Sequence, residues 1–388
     1  MKRLLVTGHV LLPDAGFGPG TVHIMDGTIE RITPGIEAGA DLVAPSGGCI
    51  IPGLIDLQVN GAFGADFTVD PAAVCRVAAA LPSTGVTAFL PTIITSPFDG
   101  YPAALRTISE AATEAKGARI LGIHLEGPYL NPRRHGAHDL ALLRSIDVDE
   151  ILGWADPSIV RIVTIAPELP GALQAVAALR ARGIVVSAGH SDATLEEARA
   201  GFGAGITWGT HLFNAMSPLA HREPGLAGAL LTAPFPCGLI VDGEHVHPAV
   251  VAIAVRARAR AGLTLVTDSM SAMGMPPGRY RLSNRDVIVD GTTARLADGT
   301  LAGSVLALDA AIRNAIAFAG CSLEDAVTMA TATPAAVLGL ARFGRIAPGC
   351  AADLVLLDES AHVAETIIGG ELVYDRATQD DRAWGRAT

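Results

Sequence analysis

Aromatic residues make up only 4% of the 388-residue chain and charged residues 17%, while half of it is apolar. A core with few rings must be filled by Ala, Val, Leu and Ile, which suits a large α/β protein. Basic charge is also short: 28 Lys and Arg stand against 39 Asp and Glu, a formal net charge of -11. That deficit excludes an electrostatic grip on nucleic acid or an anionic membrane, because no basic excess exists to displace counterions. A small anion can still find a local pocket. No run reaches the roughly 20 unbroken apolar residues of a membrane span; the longest, GLAGALLTAPFPCGLIV, is interrupted by Pro234 and Pro236. The opening MKRLLVTGHV has the basic edge of a signal peptide, but Thr7, Gly8 and His9 break its apolar run, so it reads as a β-strand. The five cysteines, Cys49, Cys75, Cys237, Cys321 and Cys350, are odd in number, scattered and in no CxxC pair. They fit buried thiols in a reducing, cytoplasmic compartment rather than a disulfide framework or a cysteine zinc site.

What the chain has in abundance is alternation. From residue 50 onward, eight short β-branched runs recur: CIIPGLIDLQV, GVTAFLPT, RILGIHLE, IVRIVTIAP, GIVVSAGH, GITWGTHL, GLIVDG and LTLVTD. Between them lie segments with apolar positions near helical spacing, such as PAAVCRVAAAL, LPGALQAVAALRARG, TLEEARAGF and PAVVAIAVRARARAG. Continuous apolar strands separated by helices imply a parallel sheet buried on both faces, and eight units are the number that closes a (β/α)8 TIM-like barrel. An open doubly wound sheet is the alternative; GFGAG at 201–205 falls between a helix and a strand and reads as a turn, not a dinucleotide fingerprint. Residues 1–49 and 342–388 carry short strands with Asp-Gly and Pro-Gly turns and no helical period. They predict one small β-sandwich domain built from both termini around a barrel at 50–341. The polar, turn-rich stretch at 273–302 predicts a β-excursion near the site mouth.

Four polar residues stand where apolar β-runs end: Glu126 in ILGIHLEGP, His190 in IVVSAGHSD, His211 in ITWGTHLFN and Asp268 in LTLVTDSM. Barrel enzymes build their sites from the ends of several strands, so these side chains can converge although far apart in sequence. One carboxylate and two imidazoles are ligands for a divalent cation with a coordination position left open, and a further carboxylate can serve as base. The pattern points to metal-dependent hydrolysis. His124 shares a face with Glu126 by strand alternation and is read as barrel interior, and the basic run Arg133, Arg134, His135 as a solvated loop.

HLEGPYLN, SAGHSDAT, THLFNAM, REPGLAGALL, VDGEHV, LVTDSM and RIAPGCAADLVLLD, in that order along the chain, resemble the N-acetylglucosamine-6-phosphate deacetylase family of the amidohydrolase superfamily. The resemblance implies hydrolysis of the acetamide of a sugar phosphate, in amino-sugar catabolism and cell-wall sugar recycling. It implies that Glu126, His190 and His211 hold the metal, that Asp268 activates water and then protonates the departing amine, and that His138 in HGAHD polarises the carbonyl. A phosphate would need Arg222, His245, Asn214 and the backbone of Ala215, and the resemblance implies that Arg222 reaches the partner's site in a homodimer. One departure from many amidohydrolases stands out: where a His-x-His pair would end the first strand, this chain has Gln58 and Asn60. Neutral amides bind zinc poorly beside imidazole, so one divalent metal per subunit is expected, zinc first, with iron, cobalt or manganese sharing the preference. Two alternatives stay open: an amidohydrolase acting on another amino-sugar phosphate or an N-acyl amino acid, and a silent metal-binding scaffold.

Overall fold

The computed structural model of the chain describes residues 1–13 and 15–378. Eight parallel strands form a barrel wall: β1 (Leu54–Val59), β2 (Val86–Ile94), β3 (Ile123–Glu126), β4 (Val160–Ile165), β5 (Val185–Ala188), β6 (Ile206–Gly209), β7 (Cys237–Leu239) and β8 (Leu263–Leu265). Each pairs in parallel with the next. All nine residues of β2 are buried, as expected of a strand covered on both faces. The four helical patterns become helices at Val74–Ala80, Ala172–Ala181, Leu195–Ala204 and Pro248–Arg258. Thr194 and Glu197 start the third of these with reciprocal capping hydrogen bonds.

Closure decides between barrel and open sheet, and it occurs at the seam between β8 and β1. Val59 and Ser269 form a parallel bridge. Asp268 N–H donates to Gln58 O at 2.9 Å, and Asn60 N–H donates to Ser269 O at 2.9 Å. Below them, Asp56 accepts hydrogen bonds from Thr267 Oγ1 (2.6 Å), Thr267 N–H (3.3 Å) and Gln58 N–H (3.1 Å). Chemistry at the seam is therefore fixed to the backbone that closes the barrel. Further inside, a chain of hydroxyls runs from Ser187 through Thr210 and Thr164 to His124 Nε2, at 2.6, 2.8 and 2.7 Å, and His124 Nδ1–H donates to Leu57 O at 3.1 Å. His124 is thus satisfied within the barrel and does not face the cavity above.

Both termini build one mixed sheet in the order Glu371–Asp375, Val363–Ile368, Leu354–Leu357, Cys49–Pro52, Arg3–Leu12, Gly16–Met25, Thr28–Pro34, with Leu42–Val43 beside Arg3–Leu12. The two ends of the chain meet where Cys49–Pro52 runs antiparallel to Leu354–Leu357. The run CIIPGLIDLQV is therefore two strands: its first part belongs to this sheet and its second is β1, with Gly53 between them. The Asp26-Gly27 turn has both residues at positive φ, 47° and 78°, the hairpin geometry that such a pair favours. Val6, Val10, Val22, Ile24, Ile50, Leu354 and Ile367 form a core separate from that of the barrel. The 273–302 stretch forms three antiparallel strands, Gly278–Leu282, Arg285–Val289 and Ala294–Arg295. All five cysteines are free, and among the described residues no helix is long and apolar enough to cross a membrane.

Asp56 has no cationic partner among the described residues, and its burial, opposed by hydrogen bonds from Thr267 and Gln58, pushes its carboxyl up to about 7. A folded-state value above the unfolded one means that the folded chain holds the proton more tightly. This contribution to stability is complete below about pH 4 and is lost as pH rises through about 7. Asp56→Asn removes that titration while keeping polar contacts to Thr267 and Gln58. Its denaturant midpoint should change less than the parent's between pH 5 and pH 8, and parallel profiles for the two proteins would refute the assignment.

Candidate active site

The cavity at the C-terminal rim of the barrel has a volume of about 440 Å³, within the range of small-molecule sites. Glu126, His190, His211 and Asp268 converge at its base. Glu126 is the last residue of β3; His190 and His211 lie two residues past β5 and β6, and Asp268 lies three past β8. His190, His211 and Asp268 each adopt left-handed backbone, with φ of 49°, 26° and 49°. Non-glycine residues pay of order 1–3 kcal/mol for such a conformation. The turn redirects each chain out of its strand and leaves the side chain over the barrel axis.

The contacts are close. Glu126 Oε1 lies 3.1 Å from His190 Nε2 and 3.0 Å from His211 Nε2, and the two imidazole nitrogens are 3.1 Å apart. Four ligands around a cation at 2.0–2.1 Å are separated from each other by roughly 3.3 Å, so this triangle of donor atoms has the right size. The tautomer of His190 also fits: its Nδ1–H donates to Arg134 O at 2.9 Å, leaving the Nε2 lone pair toward the triangle. His211 Nδ1 is buried without a protein partner. Burial would raise the Glu126 carboxyl, but hydrogen bonding to His190 and His211 outweighs it and holds the group well below the usual carboxylate range. Burial opposes a charged His211, and the Glu126 carboxylate reverses this and raises it.

His138 also reaches this cluster. Glu126, His138 and His190 place ligand atoms within 4.8 Å of one another, and His138 Nε2 is 4.0 Å from Glu126 Oε2. Its other nitrogen separates it from the ligands. Thr95 N–H donates to His138 Nδ1 at 3.3 Å, with Thr95 Oγ1 at 2.7 Å from the same atom. Nδ1 accepts, so in the neutral ring Nε2 carries the hydrogen and faces the cavity as a donor. Burial, then His190, push the His138 imidazole down to about 3, so it is neutral. A neutral donor suits a developing oxyanion better than it suits a cation.

Asp268 is set apart from Glu126 by two amides. Gln58 Nε2 donates both to Glu126 Oε1 (3.1 Å) and to Asp268 Oδ1 (3.0 Å), and Asn60 Nδ2 donates to Asp268 Oδ1 at 2.7 Å. Gln58 Oε1 and Asn60 Oδ1 are buried with no hydrogen-bond partner among the described residues. Burial, then the Glu126 charge, push the Asp268 carboxyl up to about 6.

Asn214, Ala215 and His245 line one wall of the cavity. His245 Nδ1 is 2.6 Å from Asp242 Oδ2, and Asn214 Nδ2 donates to His211 O and Leu212 O at 3.4 and 3.3 Å. Arg222 does not join them: it is exposed, 2.8 Å from its neighbour His221 Nε2, and it lines a separate groove with Asp192 and Pro224. Arg133 and Arg134, read from sequence as solvated, line the cavity, and Arg134 Nε donates to Asp192 Oδ1 at 2.8 Å. The opposite wall comes from the 273–302 excursion and the segment after it, with Leu282, Arg295, Thr300, Leu301 and Gly303. Sequence reading placed this excursion near the mouth but named none of its residues. Gly136 sits at φ 57° with its missing Cβ only 3.2 Å from His190 Cε1, so the loop passes directly over that ring.

A parallel barrel that gathers carboxylates and imidazoles at the ends of its strands is the architecture of a barrel hydrolase. The chain belongs to the amidohydrolase family, whose model matches residues 49–373. It is 44% identical over 352 residues to an N-acetylglucosamine-6-phosphate deacetylase of Bos taurus, covering 86% of each chain. It is 37% identical over 382 residues to an N-acetylgalactosamine-6-phosphate deacetylase of Escherichia coli O157:H7, covering 96% of this chain and 99% of that one. A mutant N-acetyl-D-glucosamine-6-phosphate deacetylase from Mycobacterium smegmatis, solved in complex with N-acetyl-D-glucosamine-6-phosphate, superposes with a TM-score of 0.90 at 36% identity, over 96% of this chain and all of that one.

A cation held by this triangle would stabilise the folded chain. At 100 times its dissociation constant, free metal should add about 2.7 kcal/mol to the unfolding free energy. Glu126→Ala should lose most of that increment, as read by urea unfolding with and without added zinc. An equal response in parent and variant would place the metal elsewhere.

Proposed function

We propose that this chain hydrolyses the acetamide of N-acetyl-D-glucosamine 6-phosphate to D-glucosamine 6-phosphate and acetate, in the cytoplasmic breakdown and recycling of amino sugars. The observation that carries the reading is the joint presence, in one cavity, of the Glu126–His190–His211 triangle, a second carboxylate with a raised pKa and a neutral imidazole donor. The similarity to deacetylases of this substrate adds independent weight.

Glu126, His190 and His211 would hold one divalent cation per subunit, zinc by ligand type, with iron, cobalt or manganese compatible. When bound, it supplies Lewis-acid polarisation of the amide carbonyl and makes water more acidic. Asp268, with its carboxyl near 6, is matched to take a proton from the attacking water and return it to the departing nitrogen. His138 Nε2–H donates to the carbonyl oxygen as negative charge develops there, while Thr95 keeps the ring in the donating tautomer. Asn214, the Ala215 backbone and His245 form the wall that takes the phosphate. Arg222, turned away from its own cavity, completes that cradle from the second subunit of a homodimer.

The galactosamine epimer is the second reading, favoured by the relative from Escherichia coli. Acetate release from both epimers, with and without chelator, tests the proposal and ranks the two. Asp268→Asn should lower kcat by about 10²–10⁴-fold and leave metal content unchanged. Arg222→Ala should mainly raise KM for the phosphorylated sugar. Absence of metal-dependent acetate release from either epimer would sink the proposal.

A further inference from the structure

The ring of His190 is oriented by a loop that lies outside the strand ladder. Its Nδ1–H donates to the carbonyl of Arg134, and the structure shows what keeps that carbonyl in place. Arg134 Nε donates to Asp192 Oδ1 at 2.8 Å, and Arg133 Nη1 lies 3.5 Å from Asp192 Oδ2. Asp192 N–H in turn donates to Glu168 Oε1 at 2.6 Å, and Ser191 Oγ donates to Glu168 Oε2 at 2.7 Å. On the other side, Asn131 Nδ2 donates to Glu168 Oε1 at 2.8 Å, while Asn131 N–H donates to the backbone carbonyl of His190 at 2.9 Å. One carboxylate thus accepts three hydrogen bonds, two from the residues that follow His190 and one from the start of the loop that carries Arg134 and His138.

We propose that Glu168 is a positioning residue for the metal centre: it touches neither cavity nor cation, and through Asn131, Ser191 and Asp192 it fixes the place and tautomer of His190. The inference rests on the reading of His190 as a metal ligand. The network has the logic of an outer shell around a ligating histidine, since the acceptor on the far nitrogen decides which nitrogen is free to ligate. Glu168 follows β4, so it is anchored to a third strand and braces the 131–138 and 190–192 loops against each other. The metal ligand and the carbonyl-polarising His138 therefore share one support. The sequence shows this only as an acidic residue in the PELPG turn.

The test measures cobalt affinity by competition with a chromophoric chelator and the visible absorption of bound cobalt, both without substrate. Glu168→Ala should lower metal affinity by about 10–100-fold and change the cobalt spectrum, because outer-shell partners are worth that much. Glu168→Gln keeps an oxygen for Asn131 and Asp192 and an amide for Ser191 Oγ, and should recover most of the loss. Asp192→Ala leaves Glu168 its backbone donor and breaks only the clamp on Arg134; it should lower affinity by a smaller factor. A folded Glu168→Ala variant with the parent's cobalt affinity and spectrum overturns the proposal. If that variant loses cooperative unfolding, Asp192→Ala decides, and unchanged affinity there overturns it as well. A parent protein that binds no metal defeats the functional reading itself, before any variant is compared.

Discussion

One oxygen atom, Glu126 Oε1, organises the site. Three nitrogens approach it at 3.0–3.1 Å, from His190, His211 and Gln58, and they arrive on three different strands or strand ends. A buried carboxylate is costly unless charge and hydrogen bonds compensate it. The barrel supplies that compensation only when it is closed, because Gln58 belongs to β1 and its backbone carbonyl accepts from Asp268 beyond β8. Seam closure therefore adds a third donor, Gln58, to the two imidazoles whose hydrogen bonds hold the Glu126 carboxyl low. Left-handed backbone at His190, His211 and Asp268 is a local cost that this convergence offsets.

The two first-strand amides change the electrostatics of the rim. A His-x-His pair would offer lone pairs to a second cation. Gln58 and Asn60 instead point N–H groups at Glu126 and Asp268, at 2.7–3.1 Å. One oxygen of each carboxylate, Glu126 Oε1 and Asp268 Oδ1, is thus already met by an amide donor. Their own carbonyl oxygens are buried and unpartnered, a residual polarity that costs free energy while the amides hold this orientation.

Much of this was legible in the chain, and the limits have physical causes. Short continuous apolar runs and helical spacing are local signals, so the barrel strands and the helices between them could be read directly. The ends of apolar runs pointed to Glu126, His190, His211 and Asp268 because a polar residue there must face either solvent or a site. Gly53 was not read as a boundary, since CIIPGLIDLQV is apolar throughout and only the partner strand Leu354–Leu357 shows that its first part leaves the barrel. Thr95, Glu168 and Asp192 left no trace, because a hydrogen-bond partner distant in sequence has no periodicity. Arg134 was read only as part of a basic loop for the same reason: what it offers His190 is its backbone carbonyl, which every residue has. The excursion was visible as polar and turn-rich, but which of its residues face the cavity depends on how three short strands pack on Met270 and Ile94.

The two carboxyls are pushed in opposite directions by one difference in neighbours. Glu126 and Asp268 are both buried and both bonded to Gln58, so desolvation and that amide cannot distinguish them. Glu126 also meets two imidazoles, and hydrogen bonding to them drives its carboxyl far down. The Asp268 carboxylate is hydrogen-bonded by Gln58 and Asn60, and burial, then the charge of Glu126, push it up to about 6 against the opposing effect of His211 and His245. A group that stays ionised can hold a cation, whereas a group near 6 can take and return a proton at neutral pH. His190 and His211 follow β5 and β6, and their imidazoles lie within hydrogen-bond distance of Glu126, which is the contact that separates the two carboxyls.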